Sequence, residues 1–135
     1  MAYDKYFLTE NKPELNPEKL EAIIRHALIE DIGRGDITTQ LTIPRDKDIR
    51  AKIIAKEDFL LCGSIVAEKV FKTVDASIKF EQKIKEGRQV SAQKIIAVIS
   101  GKACSILTAE RVALNLLSLL SGIATKTREF VKEIE

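Results

Sequence analysis

The chain has 135 residues, of which 45% are hydrophobic, and this length and composition predict one globular domain with a single core. Its 22 Lys and Arg residues nearly balance its 20 Asp and Glu residues, leaving a formal net charge of +2. So small a charge argues against nucleic acid or an anionic membrane as the partner. Two cysteines, Cys62 and Cys104, lie far apart within apolar runs, which predicts buried, reduced thiols and disfavours a zinc ribbon or a disulfide framework.

Neither a secretory signal nor a membrane span is predicted. Residues 1–8 contain no apolar core preceded by basic charge, so we expect a cytoplasmic location. The most apolar stretch, residues 112–120, is interrupted by Asn115 and Ser118 and is shorter than the ~20 residues of a bilayer span.

A first amphipathic helix is predicted over residues 17–31. Asn16 before Pro17 is a helix-start signal, because Asn caps free N–H groups and Pro suits the first helical position. His26 lies away from the apolar face, which predicts a solvated and not a catalytic side chain. Gly33 is expected to end the helix. The apolar residues with the spacing of one helix face are Leu20, Ile23, Ile24, Ala27 and Leu28.

A hairpin followed by a second helix is predicted next. Residues 50–56 alternate between apolar and polar side chains, as in a half-buried strand, and residues 59–62 form its partner before Gly63. Ser64 is then expected to cap a helix. The shared apolar face of that helix consists of Val66, Ala67, Val70, Phe71 and Val74.

Two further strands are predicted over residues 77–84 and 94–99, with a turn at Glu86 and Gly87 between them. The first strand turns Ile78, Phe80 and Ile84 inward. The complete order is α, β, β, α, β, β, α, α. This order predicts an α+β fold, with a small antiparallel-rich sheet and packed helices.

The last two predicted helices differ in character. Residues 106–120 are apolar nearly all round, which predicts a helix buried on several sides that ends at Gly122. A second helix over residues 125–135 carries an apolar face that has no partner within the chain and consists of Phe130, Val131 and Ile134. We therefore expect the isolated chain to associate with itself.

Three polar side chains share one face of the predicted buried helix, at positions i, i+4 and i+7: Arg111, Asn115 and Ser118. A buried guanidinium needs an anionic partner, and its planar fork suits a carboxylate. Two interpretations remain open on this pattern. Glu110 or another acid of the chain pairs with Arg111 while the other two side chains bond to loop backbone, or a bound ligand supplies the anion.

Several blocks of sequence together resemble the N-terminal signature of quinolinate phosphoribosyltransferases. The first is Glu30-Asp31-Ile32-Gly33-Arg34-Gly35-Asp36-Ile37-Thr38-Thr39, and short blocks follow at Glu86-Gly87 and Ser100-Gly101. The two most specific blocks are Leu107-Thr108-Ala109-Glu110-Arg111-Val112-Ala113-Leu114-Asn115 and Ser121-Gly122-Ile123-Ala124-Thr125.

This resemblance implies an enzyme that joins quinolinate to phosphoribosyl pyrophosphate with Mg²⁺. The products are nicotinate mononucleotide, pyrophosphate and carbon dioxide. The resemblance also implies that residues 1–121 are an N-terminal domain and that residues 122–135 begin the connection to a C-terminal α/β barrel. Arg111 matches the family arginine that contacts a quinolinate carboxylate in the active site of the neighbouring subunit, in a homodimer or higher homo-oligomer.

The remaining site residues and the Mg²⁺ ligands belong, in the family, to the barrel, so this chain is assigned no catalytic or metal-binding residue and no activity alone. Asp36, Thr38 and Thr39 are expected to cap turns, and Asn115 and Ser118 to position their helix. Two alternatives remain. One is the related pyrophosphorylase-like protein of molybdate-transport operons, and the other is a carrier domain of biotinyl or lipoyl type, for which Lys94 lacks the usual flanking signature.

Overall fold

The computed structural model of the chain describes residues 15–33 and 43–134, which form a mixed α+β domain, as predicted. In chain order its elements are α1 (Pro17–Ile32), β1 (Asp48–Ile54), β2 (Phe59–Leu60), α2 (Ser64–Val74), β3 (Lys79–Gln82), β4 (Gln89–Val90), β5 (Ile95–Lys102) and α3 (Ala103–Ile134). The connection with Asp36, Thr38 and Thr39 lies outside the described residues.

The strands form two antiparallel sheets. One has three strands in the order β1-β5-β3, and the other pairs β2 with β4. In the larger sheet Ala51 and Phe80 both lie opposite Ile99, one on each side of β5. Four consecutive residues of β5, Ile96 to Ile99, are buried, which is typical of a central strand covered on both sides.

The predicted hairpin between residues 50–56 and 59–62 is wrong. β1 pairs with β5, and β2 pairs with β4 through Phe59 and Val90. The alternation of β1 correctly predicted that Ala51 and Ile53 face inward. Alternation identifies a strand and its inner face but does not identify its partner, which here lies more than 40 residues away along the chain.

Helix α1 begins as predicted. The Asn16 side chain accepts a 3.0 Å hydrogen bond from the Lys19 amide, which satisfies one free donor of the first turn. Ile24 and Leu28 are buried in the core, whereas Ile23 is 56% exposed, so its assignment to the buried face is wrong. The apolar face of α1 is therefore narrower than its composition indicates.

Helix α2 begins differently from the prediction. Gly63, not Ser64, occupies the N-cap position, and its φ of 98° is in the left-handed region that favours glycine. A Cβ at Gly63 would lie 2.7 Å from Leu120 Cδ1, so glycine also permits the close approach of α3. The Ser64 hydroxyl points inward instead, is fully buried, and has no hydrogen-bond partner among the described residues.

Helix α3 is one continuous element of 32 residues, so the predicted break at Gly122 is wrong. Glycine within a helix costs about 1 kcal/mol relative to alanine. The packing of α3 on either side of Gly122 stabilises the helix by more than this. Ser121, immediately before this glycine, is buried against the strands. The proposed domain boundary between residues 121 and 122 therefore lies inside a helix, and it stays a prediction.

The core lies between the larger sheet and the three helices. Phe71 of α2 packs on Phe80 of β3 with ring centroids 6.1 Å apart. The face of α3 that meets this core consists of Ala103, Ile106, Ala109, Val112, Ala113 and Leu117. Both cysteines are free thiols, but they are half-buried and not fully buried as predicted, and burial raises the pKa of Cys62.

Among the described residues, α3 is long and apolar enough to cross a membrane, judged by length and composition. The apolar stretch is thus longer than residues 112–120, on which the sequence prediction was based. About a third of its most apolar window is buried within the domain, and the core helix of a globular domain has the same composition. The packing of α3 on α2 and on the larger sheet accounts for its inner apolar residues.

Candidate functional site

The polar stripe of α3 lies on the outer side of the helix. Arg111, Asn115 and Ser118 share one face, as predicted, but all three are exposed and not buried. Arg111 lies about 160° round the helix axis from Ala113, at the centre of the buried face. The prediction that Arg111 needs an anion because it is buried is therefore wrong.

One acid of the chain lies close to Arg111. The Asp31 carboxylate at the end of α1 lies 3.4 Å from Arg111 Nη1, at the outer limit of a hydrogen bond. The Arg111 side chain is 73% exposed, so this ion pair contributes little to stability. Glu110 forms no ion pair with it. Within the described residues, Asp31 engages one of the five guanidinium N–H donors of Arg111.

The two polar residues beside Arg111 are also open to solvent. Neither Asn115 nor Ser118 forms a hydrogen bond to any residue that the structure describes, so their expected role in fixing the helix is not supported. His26 is exposed, as predicted, and in the described residues it belongs to no group of three or more His, Cys, Asp or Glu side chains that could hold a metal ion.

Two hydroxyl side chains of α3 bond to the backbone of β2 and the residues after it. Thr125 Oγ1 accepts a 2.9 Å hydrogen bond from the Leu60 amide. Ser121 Oγ accepts one of 3.1 Å from the Cys62 amide and donates one of 2.9 Å to the Cys62 carbonyl. The sequence pointed to this block only as part of the resemblance, since the spacing of Ser121 and Thr125 does not reveal a strand partner.

A carboxylate from a distant turn lies at the start of α2. Glu86 accepts hydrogen bonds from the amides of Gly63 (2.9 Å) and Ile65 (3.1 Å). It thereby satisfies two donors of the first helical turn, the position at which a negative charge is most favourable. Glu86 was predicted only as a turn residue, and its turn at Gly87 is present with a φ of 75°.

The C-terminal half of α3 carries an exposed apolar stripe. We define this stripe as Leu119, Ile123, Phe130 and Ile134, which are 56–84% exposed. Leu119, Ile123 and Phe130 line a shallow, open groove along the helix, together with Ser118, Gly122, Lys126 and Thr127. Within the described residues nothing covers the stripe, as the sequence predicted for the face of Phe130 and Ile134.

Two other kinds of site lack support. Lys94 is not at a hairpin tip, because β4 pairs with β2 whereas β5 pairs with β1 and β3. The carrier interpretation therefore lacks the structure it requires. In residues 15–33 and 43–134 no group of three or more His, Cys, Asp or Glu side chains could hold a metal ion.

Comparison with solved structures defines the class of fold. The nicotinate-nucleotide pyrophosphorylase from Francisella tularensis superposes with a TM-score of 0.83 and 36% sequence identity, over 92% of this chain and 44% of that one. The chain is thus an α+β domain of the kind found in nicotinate-nucleotide pyrophosphorylases.

Sequence comparison identifies the family. Residues 36–121 match the model for the quinolinate phosphoribosyl transferase N-terminal domain, and the chain belongs to this family. A chloroplastic nicotinate-nucleotide pyrophosphorylase [carboxylating] of Arabidopsis thaliana is 42% identical over 119 residues, covering 87% of this chain and 34% of the relative. A probable nicotinate-nucleotide pyrophosphorylase [carboxylating] of Bacillus subtilis is 36% identical over 118 residues, covering 87% and 40%. The chain therefore spans about a third to two fifths of the length of these relatives.

Proposed function

We propose that this chain is the N-terminal part of an enzyme that converts quinolinate and phosphoribosyl pyrophosphate to nicotinate mononucleotide, pyrophosphate and carbon dioxide. Membership of the family supports this proposal, together with relatives named for that activity. The chain covers less than half of each relative compared above, so the chemical step belongs to the rest of the enzyme. On its own the chain is expected to have no activity.

Arg111 is the residue proposed to contact substrate. The observation that carries this proposal is its placement, because the guanidinium projects from a long helix away from the core, with a weak contact to Asp31. Quinolinate carries two carboxylates, and a guanidinium fork binds a carboxylate through two parallel hydrogen bonds. A side chain directed outward is suited to a site that another domain or subunit completes.

The partners follow from the same proposal. The exposed Arg111 would enter the site of a neighbouring subunit in a homo-oligomer, while Mg²⁺ would be held by the barrel and not by the described residues of this chain. We also propose a cytoplasmic location. The bacterial relative is consistent with it, whereas the plant relative is named as chloroplastic, so the compartment differs within the family.

A domain exchange tests the function. The segment of the Francisella tularensis protein that matches this chain is replaced by this chain, and formation of nicotinate mononucleotide is followed with both substrates and Mg²⁺. We expect an active chimera. In it, Arg111→Ala should weaken the use of quinolinate by about 2–5 kcal/mol, measured as kcat/KM, because an ion pair enclosed in the complex is lost.

Two further variants make this test specific. Arg111→Lys keeps the charge but not the fork and should recover only part of the lost kcat/KM. Arg128→Ala removes another arginine of α3, one that bonds to Gln89, and should leave the KM for quinolinate unchanged. An active chimera in which Arg111→Ala has an unchanged KM for quinolinate would overturn the assignment of Arg111, and an inactive but folded chimera would count against the function.

A further inference from the structure

The block of residues 121–125 has no role in the proposed chemistry, although it is one of the two most specific blocks in the sequence. Its two hydroxyl residues, Ser121 and Thr125, form hydrogen bonds with the backbone of Leu60 and Cys62. Ser121 is 4% exposed. Their hydrogen bonds suggest a different role.

Helix α3 lies along the edge of β2 that is not paired with β4, and its side-chain hydroxyls accept the hydrogen bonds that a neighbouring strand would otherwise accept. The Leu61 amide bonds to the Arg88 carbonyl on the β4 side, and the amides of Leu60 and Cys62 face the opposite way. Two strand residues rise ~6.7 Å, and four helix residues rise ~6 Å. Ser121 and Thr125 are four residues apart, so their hydroxyls match the spacing of the two outward amides.

These contacts fix α3 in two respects. The Ser121 hydroxyl bonds to both the amide and the carbonyl of Cys62, which sets the position of the helix along the strand. Leu120 packs on Gly63 at a distance that leaves no room for a Cβ, which sets how closely the helix approaches. A shift of one residue would move every α3 side chain ~1.5 Å along the axis and rotate it by about 100°.

We propose that Ser121 and Thr125 are positioning residues that fix the axial position and rotation of α3 and thereby aim Arg111 at its substrate. This inference rests on the proposed function of Arg111. Arg111 lies ~15 Å from Ser121 along a continuous helix, so a small rotation at the hydroxyl contacts is transmitted to the guanidinium. A misplacement of about 1 Å in a substrate-binding group is enough to reduce catalysis by as much as 10²-fold.

The chimera provides the test, with steady-state kinetics measured well below the lowest melting temperature of the variants. Ser121→Ala and Thr125→Val should each raise the KM for quinolinate on the order of ten-fold, with little change in the KM for phosphoribosyl pyrophosphate. Thr125→Ser keeps the hydroxyl and should restore the KM. Thr73→Val is the matched control, because the Thr73 hydroxyl donates a hydrogen bond within its own helix, to the Lys69 carbonyl.

A double-mutant cycle distinguishes positioning from general destabilisation. If Ser121 and Thr125 act through Arg111, their substitutions should have no further effect on the KM for quinolinate once Arg111 is Ala. The same increase in both backgrounds, or a lower melting temperature with an unchanged KM, would overturn the positioning role. If Arg111→Ala itself leaves the KM unchanged, the function proposed for Arg111 fails first. If Ser121→Ala does not fold, Thr125→Val provides the same cycle.

Discussion

The carboxylate of Glu86 accepts a 2.9 Å hydrogen bond from the amide of Gly63, across a separation of 23 residues. This bond joins the turn before β4 to the first turn of α2, at a helix end that has no side-chain cap of its own. The Glu86 carboxylate, which comes from a distant turn, thus has the capping role that was expected of Ser64.

Substitution of Glu86 tests this cap. Glu86→Ala should lower the free energy of unfolding by about 1–2 kcal/mol, because it leaves the amides of Gly63 and Ile65 without their acceptor. Glu86→Gln keeps an acceptor oxygen and should lose less. Glu57→Ala, at an exposed position, is the control, and urea unfolding followed by circular dichroism gives the values. Equal stability of Glu86→Ala and the wild-type chain would contradict the cap.

Substitution of Ser64, in contrast, is not expected to lower the free energy of unfolding. Its hydroxyl is fully buried and has no partner among the described residues, which costs about 1–3 kcal/mol of desolvation. Ser64→Ala should therefore leave the chain equally stable or raise its free energy of unfolding. Ser105→Ala is the contrasting variant, since the Ser105 hydroxyl donates a 2.8 Å hydrogen bond to Asp75. Thermal melts of both variants decide the matter, and a clear destabilisation by Ser64→Ala would show that its hydroxyl has a partner.

Asp75 makes stability depend on pH in the acid range. The Ser77 hydroxyl, followed by the Ser105 hydroxyl and the Ser77 amide, lowers the pKa of this carboxyl below its ordinary value of 3.8. Because the pKa is lower in the folded chain, the stabilisation is present above pH ~4 and is lost as the pH falls through the folded value.

Asp75→Asn should remove this contribution, so the difference in stability between the wild type and this variant should shrink as the pH is lowered from 6 toward 2. The midpoint of urea unfolding, measured across that range, is the readout. Because Asp75 is only half-buried, solvent screens its interactions and the effect should be modest. A difference that stayed constant across the range would show that ionisation of Asp75 does not contribute.

The apolar stripe predicts self-association of the isolated chain. Its exposed side chains on α3 form a contiguous apolar surface, which favours contact with a second surface. Sedimentation velocity should show oligomers at micromolar concentration, and Phe130→Lys should shift the population toward monomer. Ile29→Lys, at a 71% exposed position of α1, is the control and should have no effect. A monomer for the unsubstituted chain at all concentrations would contradict the prediction.

Local patterns predicted the elements better than their arrangement. The Asn16 cap, the Ile24 and Leu28 face of α1 and the inward side chains of β1 follow from signals within a few residues, and all are present. Strand partners depend on which non-local surfaces bury one another, so the sequence predicted β1 but not its pairing with β5. The short strand β4 was missed because a pair of residues carries no periodicity.

The candidate site shows the same limit. Helix geometry correctly predicted that Arg111, Asn115 and Ser118 share one face. The prediction that this face is buried was wrong, because all three residues are exposed. Leu107 and Leu119, which are 37% and 58% exposed, made residues 106–120 apolar nearly all round, and this was interpreted as burial within the chain. The composition of a helix does not reveal whether its apolar residues face the core of its own domain or a separate surface.

The unbroken course of α3 through Gly122 determines how the two exposed features of the helix can be used. Arg111 and Phe130 are ~28 Å apart along the axis and about 100° apart around it, and no hinge lies between them. That length is close to the diameter of a small domain. A single compact partner that covers Phe130 therefore reaches Arg111 only if it extends along the whole length of α3 between them. Two separate partner domains could bind, one at each end, without contacting each other.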